Sequence, residues 1–222
     1  LADPAPVAQT FFVDDDVRRR TSLDSIVTVV DARHVVQRLE DSHEALEQIA
    51  FADTVLLNKM DLVPADELAQ VETRIRSINP TAVIRRSERC EVGLDEVLGR
   101  RAFDLHRILA VEPDFLSEDD HEHDDTVKSV CLRADRPLDG IRIAGWLQRL
   151  LVERGQDLLR TKGILSLAGH DKQYVVQAVH MLMESNFTKP WSPDENRESR
   201  LVFIGRNIDE AELRRQFDAC IA

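Results

Sequence analysis

Four consecutive residues, Asn58-Lys59-Met60-Asp61, hold the side chains of this 222-residue sequence best placed to do chemistry. They follow the apolar run Thr54-Val-Leu-Leu57 and so stand at the carboxyl end of a predicted parallel strand, the place where open α/β sheets bind ligands. A carboxylate at Asp61 can accept two hydrogen bonds from guanine, one from the ring N–H and one from the exocyclic amine. Adenine offers neither donor at that edge and would leave a charged acceptor unpaired, at a cost of roughly 1–3 kcal/mol. Asn58 can bond a base edge or tie neighbouring loops together. The aliphatic stem of Lys59 can lie along a purine face with its ammonium in water. The plainer alternative is a polar turn in which Asp61 assists entry into the next helix. A second cluster is His121-Glu-His123. Imidazole and carboxylate are usual ligands for Zn²⁺, Co²⁺ and Ni²⁺. Two histidines suit transient capture of a metal better than tight structural binding, and the alternative is a solvated acidic linker with incidental histidines.

The elements that must position these residues follow from the pattern. Ser25-Ile-Val-Thr-Val-Val30 is a nearly continuous β-branched run, as expected of a strand buried on both faces of a parallel sheet, and Asp31 ends it. Val36, Leu39, Leu46, Ile49 and Ala50 recur at helical spacing. Pro64 to Ile78 places Leu68, Val71, Ile75 and Ile78 on one helical stripe, with Asn79-Pro80 as its stop. Ala82-Val-Ile84 reads as a third strand and Leu94 to Leu109 as another helix. Strands alternating with helices predict βαβ units and a parallel sheet.

From Glu112 to Asp125 there are 8 acidic residues in 14 and no basic one. Such a stretch cannot bury enough apolar surface to fold by itself, so 112–126 is expected to be a linker between a first domain, 1–111, and a second, 127–222. In the second, Val127 to Leu132, Leu158 to Leu167, Tyr174 to Met183 and Leu201 to Ile204 read as strands. Ile141 to Val152 and Asp209 to Ile221 read as amphipathic helices. The order β-α-β-β-β-α predicts a small α+β sandwich, helices on one face of a mostly antiparallel sheet.

The composition narrows the function classes. With 29 Lys and Arg against 41 Asp and Glu, the formal charge is −12. That argues against nonspecific nucleic-acid binding, which needs a basic footprint, and suits cations or a basic partner. No apolar run approaches the roughly 20 residues that span a bilayer. Cys90, Cys131 and Cys220 are far apart and odd in number, so no disulfide framework is expected and a reducing cytoplasm is the expected setting. Ser87-Glu88, after the third strand, is expected to be a surface turn, the alternative being a second loop that touches the guanine. Asp31 either sits near the ligand face or caps the following helix. His180 is expected as a packed or sheet-surface residue of the strand 174–183, with a ligand role as the alternative. Arg160 and Lys162 are expected as solvated strand residues, the alternative being to bind an anion or contact the first domain. Trp146 and Trp191 are expected in packing roles, and Cys131 as a small buried residue.

Several of these segments, in order, resemble one family, the CobW-type P-loop GTPases. Leu1-Ala-Asp-Pro-Ala-Pro-Val-Ala8 resembles the stretch after that family's E-x-x-G switch motif. Val29-Val-Asp-Ala32 and Gln48-Ile-Ala-Phe-Ala-Asp53 resemble the strand and helix end that precede its guanine loop, and Val55-Leu-Leu-Asn-Lys-Met-Asp-Leu62 resembles the loop itself. The acidic linker looks like the family's histidine-rich spacer. Arg160-Thr-Lys-Gly163, Trp191 and Phe203-Ile-Gly-Arg-Asn207 resemble features of its C-terminal domain. The resemblance implies an α/β fold with a partial P-loop GTPase domain, guanine recognition by Asn58, Lys59 and Asp61, GTP with Mg²⁺ as cofactor, and Zn²⁺ or Co²⁺ as cargo for a client metalloprotein. It makes His121 and His123 auxiliary metal ligands. One departure is large: the sequence holds no G-x-x-x-x-G-K-[ST], and the family's phosphate loop lies upstream of the first match. The chain is therefore expected to be the C-terminal portion of a GTPase that hydrolyses GTP when intact, and to be inactive alone because phosphoryl transfer depends on positioning the phosphates. Asp3, next to the missing switch, has no assignable role. The competing expectation is a non-enzymatic module that binds a partner or buffers metal.

Overall fold

A computed structural model describes residues 4–102, 127–192 and 195–222. The chain divides into two compact units, Leu1–Asp125 and Thr126–Ala222.

The first unit opens with two helices, α1 (Pro4–Val13) and α2 (Asp15–Arg20), the second capped by Asp14, whose carboxylate accepts the N–H groups of Asp16 and Val17. Three parallel strands follow: β1 (Val27–Asp31), β2 (Thr54–Asn58) and β3 (Val83–Arg86), in that spatial order. Every residue of β2 is buried, as its unbroken apolar run requires of a central strand. The strands end level. Asp31 pairs in register with Asn58, and Leu57 with Arg86, so the three carboxyl ends lie side by side. The stretch expected as one helix is two, α3 (Val35–Asp41) and α4 (His43–Phe51). They meet at Ser42, an extended residue whose Oγ accepts the N–H of Ala45 at 3.3 Å and starts the second. Helix α5 (Ala65–Ile78) buries Leu68, Val71, Ile75 and Ile78, the predicted stripe.

The helix expected over 94–109 is a correction. Within the described residues it is one turn, α6 (Leu94–Val97). Gly99 and Arg101 take left-handed φ of 66° and 49°, and the Asp24 carboxylate captures the N–H groups of Arg100 and Arg101 at 3.2 and 2.6 Å. Those N–H groups are thereby lost to a continuing helix. Residues 103–126, including the acidic stretch, lie outside the described residues.

The second unit is a five-stranded antiparallel sheet in the order β4-β8-β5-β6-β7. Its strands are β4 (Val127–Ala134), β5 (Leu158–Leu165), β6 (Lys172–Val179), β7 (Leu182–Pro190) and β8 (Ser199–Arg206). Helices α7 (Gly140–Arg154) and α8 (Glu210–Asp218) join one core with one face of the sheet. There Ile143, Trp146, Leu147 and Leu150 of α7 and Leu213 and Phe217 of α8 meet Leu132, Leu165, Val176, Leu201 and Phe203. Trp146 packs edge-on against Phe203, centroids 5.9 Å apart, and its Nε1 donates to Gln216 at 2.7 Å. That bond satisfies the one polar atom of a buried indole.

The α+β class stands, with one strand more than expected. The strand predicted over 174–183 is a hairpin: β6 ends at Val179, and β7 begins at Leu182. His180, with φ 53°, sits in the turn rather than in a strand. Arg160 and Lys162 are not solvated but 1% exposed. They occupy β5, the middle strand, flanked by β8 on one side and β6 on the other.

Gly205 of β8 has a steric reason. A Cβ there would lie 2.3 Å from the carbonyl oxygen of Asp157, whose position is fixed because it accepts the N–H of Arg206 at 2.8 Å. Gly205→Ala is expected to destabilise this unit by about 1–3 kcal/mol through overpacking, seen as a lower midpoint in a calorimetric melt. An unchanged midpoint would refute the steric assignment.

Candidate functional site

The three strand ends of the first unit gather the residues singled out by the sequence. Asn58 closes β2 and is 9% exposed. Its Oδ1 accepts the N–H of Cys90 at 2.9 Å and the Ser87 hydroxyl at 3.3 Å. Of its two expected roles, this bond set performs the loop-tying one. Nδ2 has no partner among the described residues, which leaves a donor for an acceptor on a base edge.

Lys59 turns the chain. Its backbone is left-handed, φ 64° and ψ 33°, and it precedes a single 3-10 turn, Met60–Leu62. A non-glycine residue in this region is held there against a cost of about 1–2 kcal/mol, and such residues cluster at ligand sites. Two bonds close the turn: the Leu62 N–H donates to the Lys59 carbonyl and the Val63 N–H to that of Met60, each at 3.1 Å. The turn carries the chain off the sheet and presents Asp61, which is exposed. Among the described residues the Asp61 carboxylate has no hydrogen-bond or ion-pair partner.

The Lys59 ammonium donates to Oδ2 of Asp31 at 2.8 Å. Asp31 also accepts the N–H of Arg33 on Oδ1 at 3.0 Å, and Nδ1 of His34 lies 3.1 Å from Oδ2. Thus Asp31 both starts the turn into α3 and faces the loop after β2. Burial by itself would raise its pKa, but the hydrogen bonds from Lys59, His34 and the Arg33 N–H, with the charge of Lys59, outweigh this and bring it from 3.8 to about 2. A folded pKa below the unfolded one favours the fold above about pH 3.8, by a small amount because solvent screens so exposed a pair, and this contribution disappears as pH falls through about 2. A carbon-detected NMR titration of the Asp31 carboxyl is expected to give a midpoint near 2. An unshifted midpoint would refute the pairing.

The loop after β3 completes the rim. Ser87 was expected at the surface; it is 3% exposed, and its N–H donates to the Leu57 carbonyl at 2.8 Å, continuing the β2–β3 ladder by one residue. Glu88 is exposed as expected. Arg89 and Cys90 are both left-handed, φ 50° and 60°, which aims the Cys90 N–H at Asn58. Sequence reasoning missed this N–H and the Lys59–Asp31 contact. A backbone N–H has no side-chain signature. The contact was signalled by two parallel strands of matched length ending in Asp31 and Asn58.

The metal-site expectation falls elsewhere. His121, His123 and Asp3 lie outside the described residues. Among the described residues no group of three or more His, Cys, Asp and Glu side chains is placed to hold a metal ion. Cys90, Cys131 and Cys220 are all free thiols, and Cys131 is only half-buried. No helix among the described residues is long and apolar enough to cross a membrane.

Residues 1–86 match the family model described as CobW/HypB/UreG, nucleotide-binding domain. Residues 127–221 match the cobalamin synthesis protein cobW C-terminal domain. The chain is 30% identical over 218 residues to zinc chaperone YjiA of Escherichia coli, covering 98% of this chain and 67% of that protein. It is 33% identical over 248 residues to zinc chaperone CobW of Pseudomonas aeruginosa, covering all of this chain and 64% of that one. To zinc-regulated GTPase metalloprotein activator 1 of Saccharomyces cerevisiae it is 25% identical over 255 residues, 96% of this chain and 58% of that protein. A crystal structure of Zn(II)-bound YjiA GTPase from E. coli superposes with a TM-score of 0.87 at 29% identity, covering 100% of this chain and 68% of that one. The chain thus spans 58% to 67% of the length of these three relatives.

Proposed function

The chain belongs to the CobW/HypB/UreG family and carries that family's CobW C-terminal domain, and on that premise we propose that it supplies the guanine-reading loop and the C-terminal domain of a GTP-dependent protein that delivers zinc to a client. The observation that carries the reading is Asp61. An exposed carboxylate with no partner among the described residues stands one turn beyond the end of a central parallel strand, on a loop held in a left-handed bend. Facing a purine, it accepts the ring N–H and exocyclic amine of guanine. Asn58, its oxygen already engaged, donates through Nδ2 to the base edge. The Lys59 stem lies against the ring face.

Zinc as cargo rests on the names of the relatives, which are zinc chaperones and zinc-regulated metalloprotein activators. Cobalt is the second candidate cargo, and His121 and His123 are the candidate auxiliary ligands. The client is a metalloprotein. Free thiols throughout suit a cytoplasmic setting. The residues present do not fit the phosphates of GTP or the Mg²⁺ that accompanies them. The sequence holds no phosphate loop, and no described cluster suits a metal ion. No hydrolytic step is therefore assigned to these residues.

The test is an amide-resolved NMR titration with GMP and, separately, AMP, nucleotides that ask little of a phosphate loop. Shifts at 58–63 and 87–90 with GMP and not with AMP are expected. Equal responses to the two, or none to GMP, would defeat the reading.

A further inference from the structure

We propose that Asp31 is a positioning residue for guanine recognition: it anchors the Lys59 ammonium so that the lysine stem stands as a preformed wall for the purine. This rests on the guanine reading and adds to it a residue from a different strand.

The geometry begins with register. Strands β1 and β2 run parallel and end level, Asp31 opposite Asn58. The pairing extends one residue further, the Ala32 N–H donating to the Asn58 carbonyl at 2.9 Å. The residue after Asn58 therefore emerges beside the Asp31 carboxylate. Lys59 leaves in a left-handed conformation, which fixes the direction of its Cα–Cβ bond but nothing beyond it. A free four-carbon lysine stem is disordered, and ordering it on ligand binding costs affinity. The 2.8 Å contact to Asp31 orders it beforehand.

The anchor is itself held. Oδ1 of Asp31 takes the Arg33 N–H, and Oδ2 is shared between His34 and Lys59, so the carboxylate plane is set by the turn into α3 and not by the lysine. Stability does not account for the pair. The Lys59 side chain is 51% exposed and that of Asp31 30%, and ion pairs this exposed contribute little to folding. What such a pair can do is fix where a flexible side chain stands.

The competing view is that Asp31 only caps α3. A double-mutant cycle separates the two. Asp31→Asn keeps an oxygen for the Arg33 N–H and removes the charge that holds the ammonium. Lys59→Met keeps an apolar stem and removes the ammonium. GMP dissociation constants are measured by NMR titration for the native chain, each single variant and the double variant. Each single change is expected to weaken GMP binding about two- to tenfold, and the double variant no further than either one, since both break the same contact. Losses that add, or native affinity in Asp31→Asn, would overturn the proposal. Lys59→Met leaves the α3 turn untouched, so native affinity in that variant alone overturns it too. Asp61→Ala keeps the two failures apart. If it leaves the preference for GMP over AMP intact, the guanine reading itself is wrong. If it abolishes that preference while Asp31→Asn binds GMP as the native chain does, only the anchor is wrong.

Discussion

Chemical denaturation of an Asn79→Ala variant is expected to show the first unit destabilised by about 3–5 kcal/mol, from the unpaired groups the substitution leaves behind. Asn79 is fully buried between α5 and β3. Its Nδ2 donates to the carbonyls of Ile49, Ala50 and Ala52, at 2.8, 3.2 and 2.8 Å. Two of these belong to the last turn of α4, where carbonyls outnumber the helix's own donors, although that of Ile49 also takes the Ala52 N–H at 3.1 Å. Its Oδ1 accepts both the N–H and the hydroxyl of Thr81, at 3.0 and 2.7 Å. One side chain thus satisfies the end of α4, the entry to β2 and the turn into β3. Alanine removes every one of these bonds. Set against a typical stability of about 5–15 kcal/mol, the loss is large. For a unit of this size it corresponds to a fall of roughly 10–30 °C in melting temperature. A shift below about 4 °C would show that the network is not holding the layers together. Asn79→Asp is expected to do no better, since a carboxylate turned toward three carbonyl oxygens has no hydrogen to offer them.

The same residue shows where sequence reading stops. Asn79-Pro80 was legible as the stop of a helix, and Leu68, Val71, Ile75 and Ile78 as its buried stripe. Nothing at position 79 announces partners about 30 residues away. The Lys59–Asp31 contact, the Cys90 N–H on Asn58 and the capture of Arg100 and Arg101 by Asp24 are non-local in the same way. They depend on which strand ends lie level and on where a distant carboxylate falls. The capture by Asp24 is what cut short a helix that periodicity had extended.

Strand β2 was legible because a four-residue apolar run ending in Asn-Lys-x-Asp is both a local pattern and a motif. The hairpin of β6 and β7 was not, because Val179-His180-Met181-Leu182 carries no Gly, Asn or Asp at the turn. His180 adopts φ 53° without the residue type that normally marks it. Arg160 and Lys162 misled for the opposite reason. Charge predicts solvent, but both sit on the middle strand of five and are 1% exposed. The family resemblance located the loop; the structure supplies the geometry by which Asn58, Lys59 and Asp61 share it.

Asp61→Asn is the second change with a large expected effect, and it alters specificity rather than stability. Asp61 is exposed and has no partner among the described residues, so its replacement breaks no contact there. Guanine presents two donors to a carboxylate. Xanthine keeps the ring N–H but carries a carbonyl oxygen where guanine has its amine, and a carboxylate repels that oxygen. The amide of an asparagine matches xanthine instead, its oxygen accepting the ring N–H and its nitrogen donating to the carbonyl. A matched partner replaced by an unmatched one costs about 1–3 kcal/mol, roughly tenfold or more in affinity. The exchange acts on both ligands in opposite directions, so the ratio of affinities is expected to swing by about a hundredfold. The decisive measurement is that ratio, GMP against XMP, in the native chain and in Asp61→Asn by competition NMR. A preference for GMP that inverts to XMP is the predicted result; the same ratio in both proteins would contradict the assignment of Asp61 to the base.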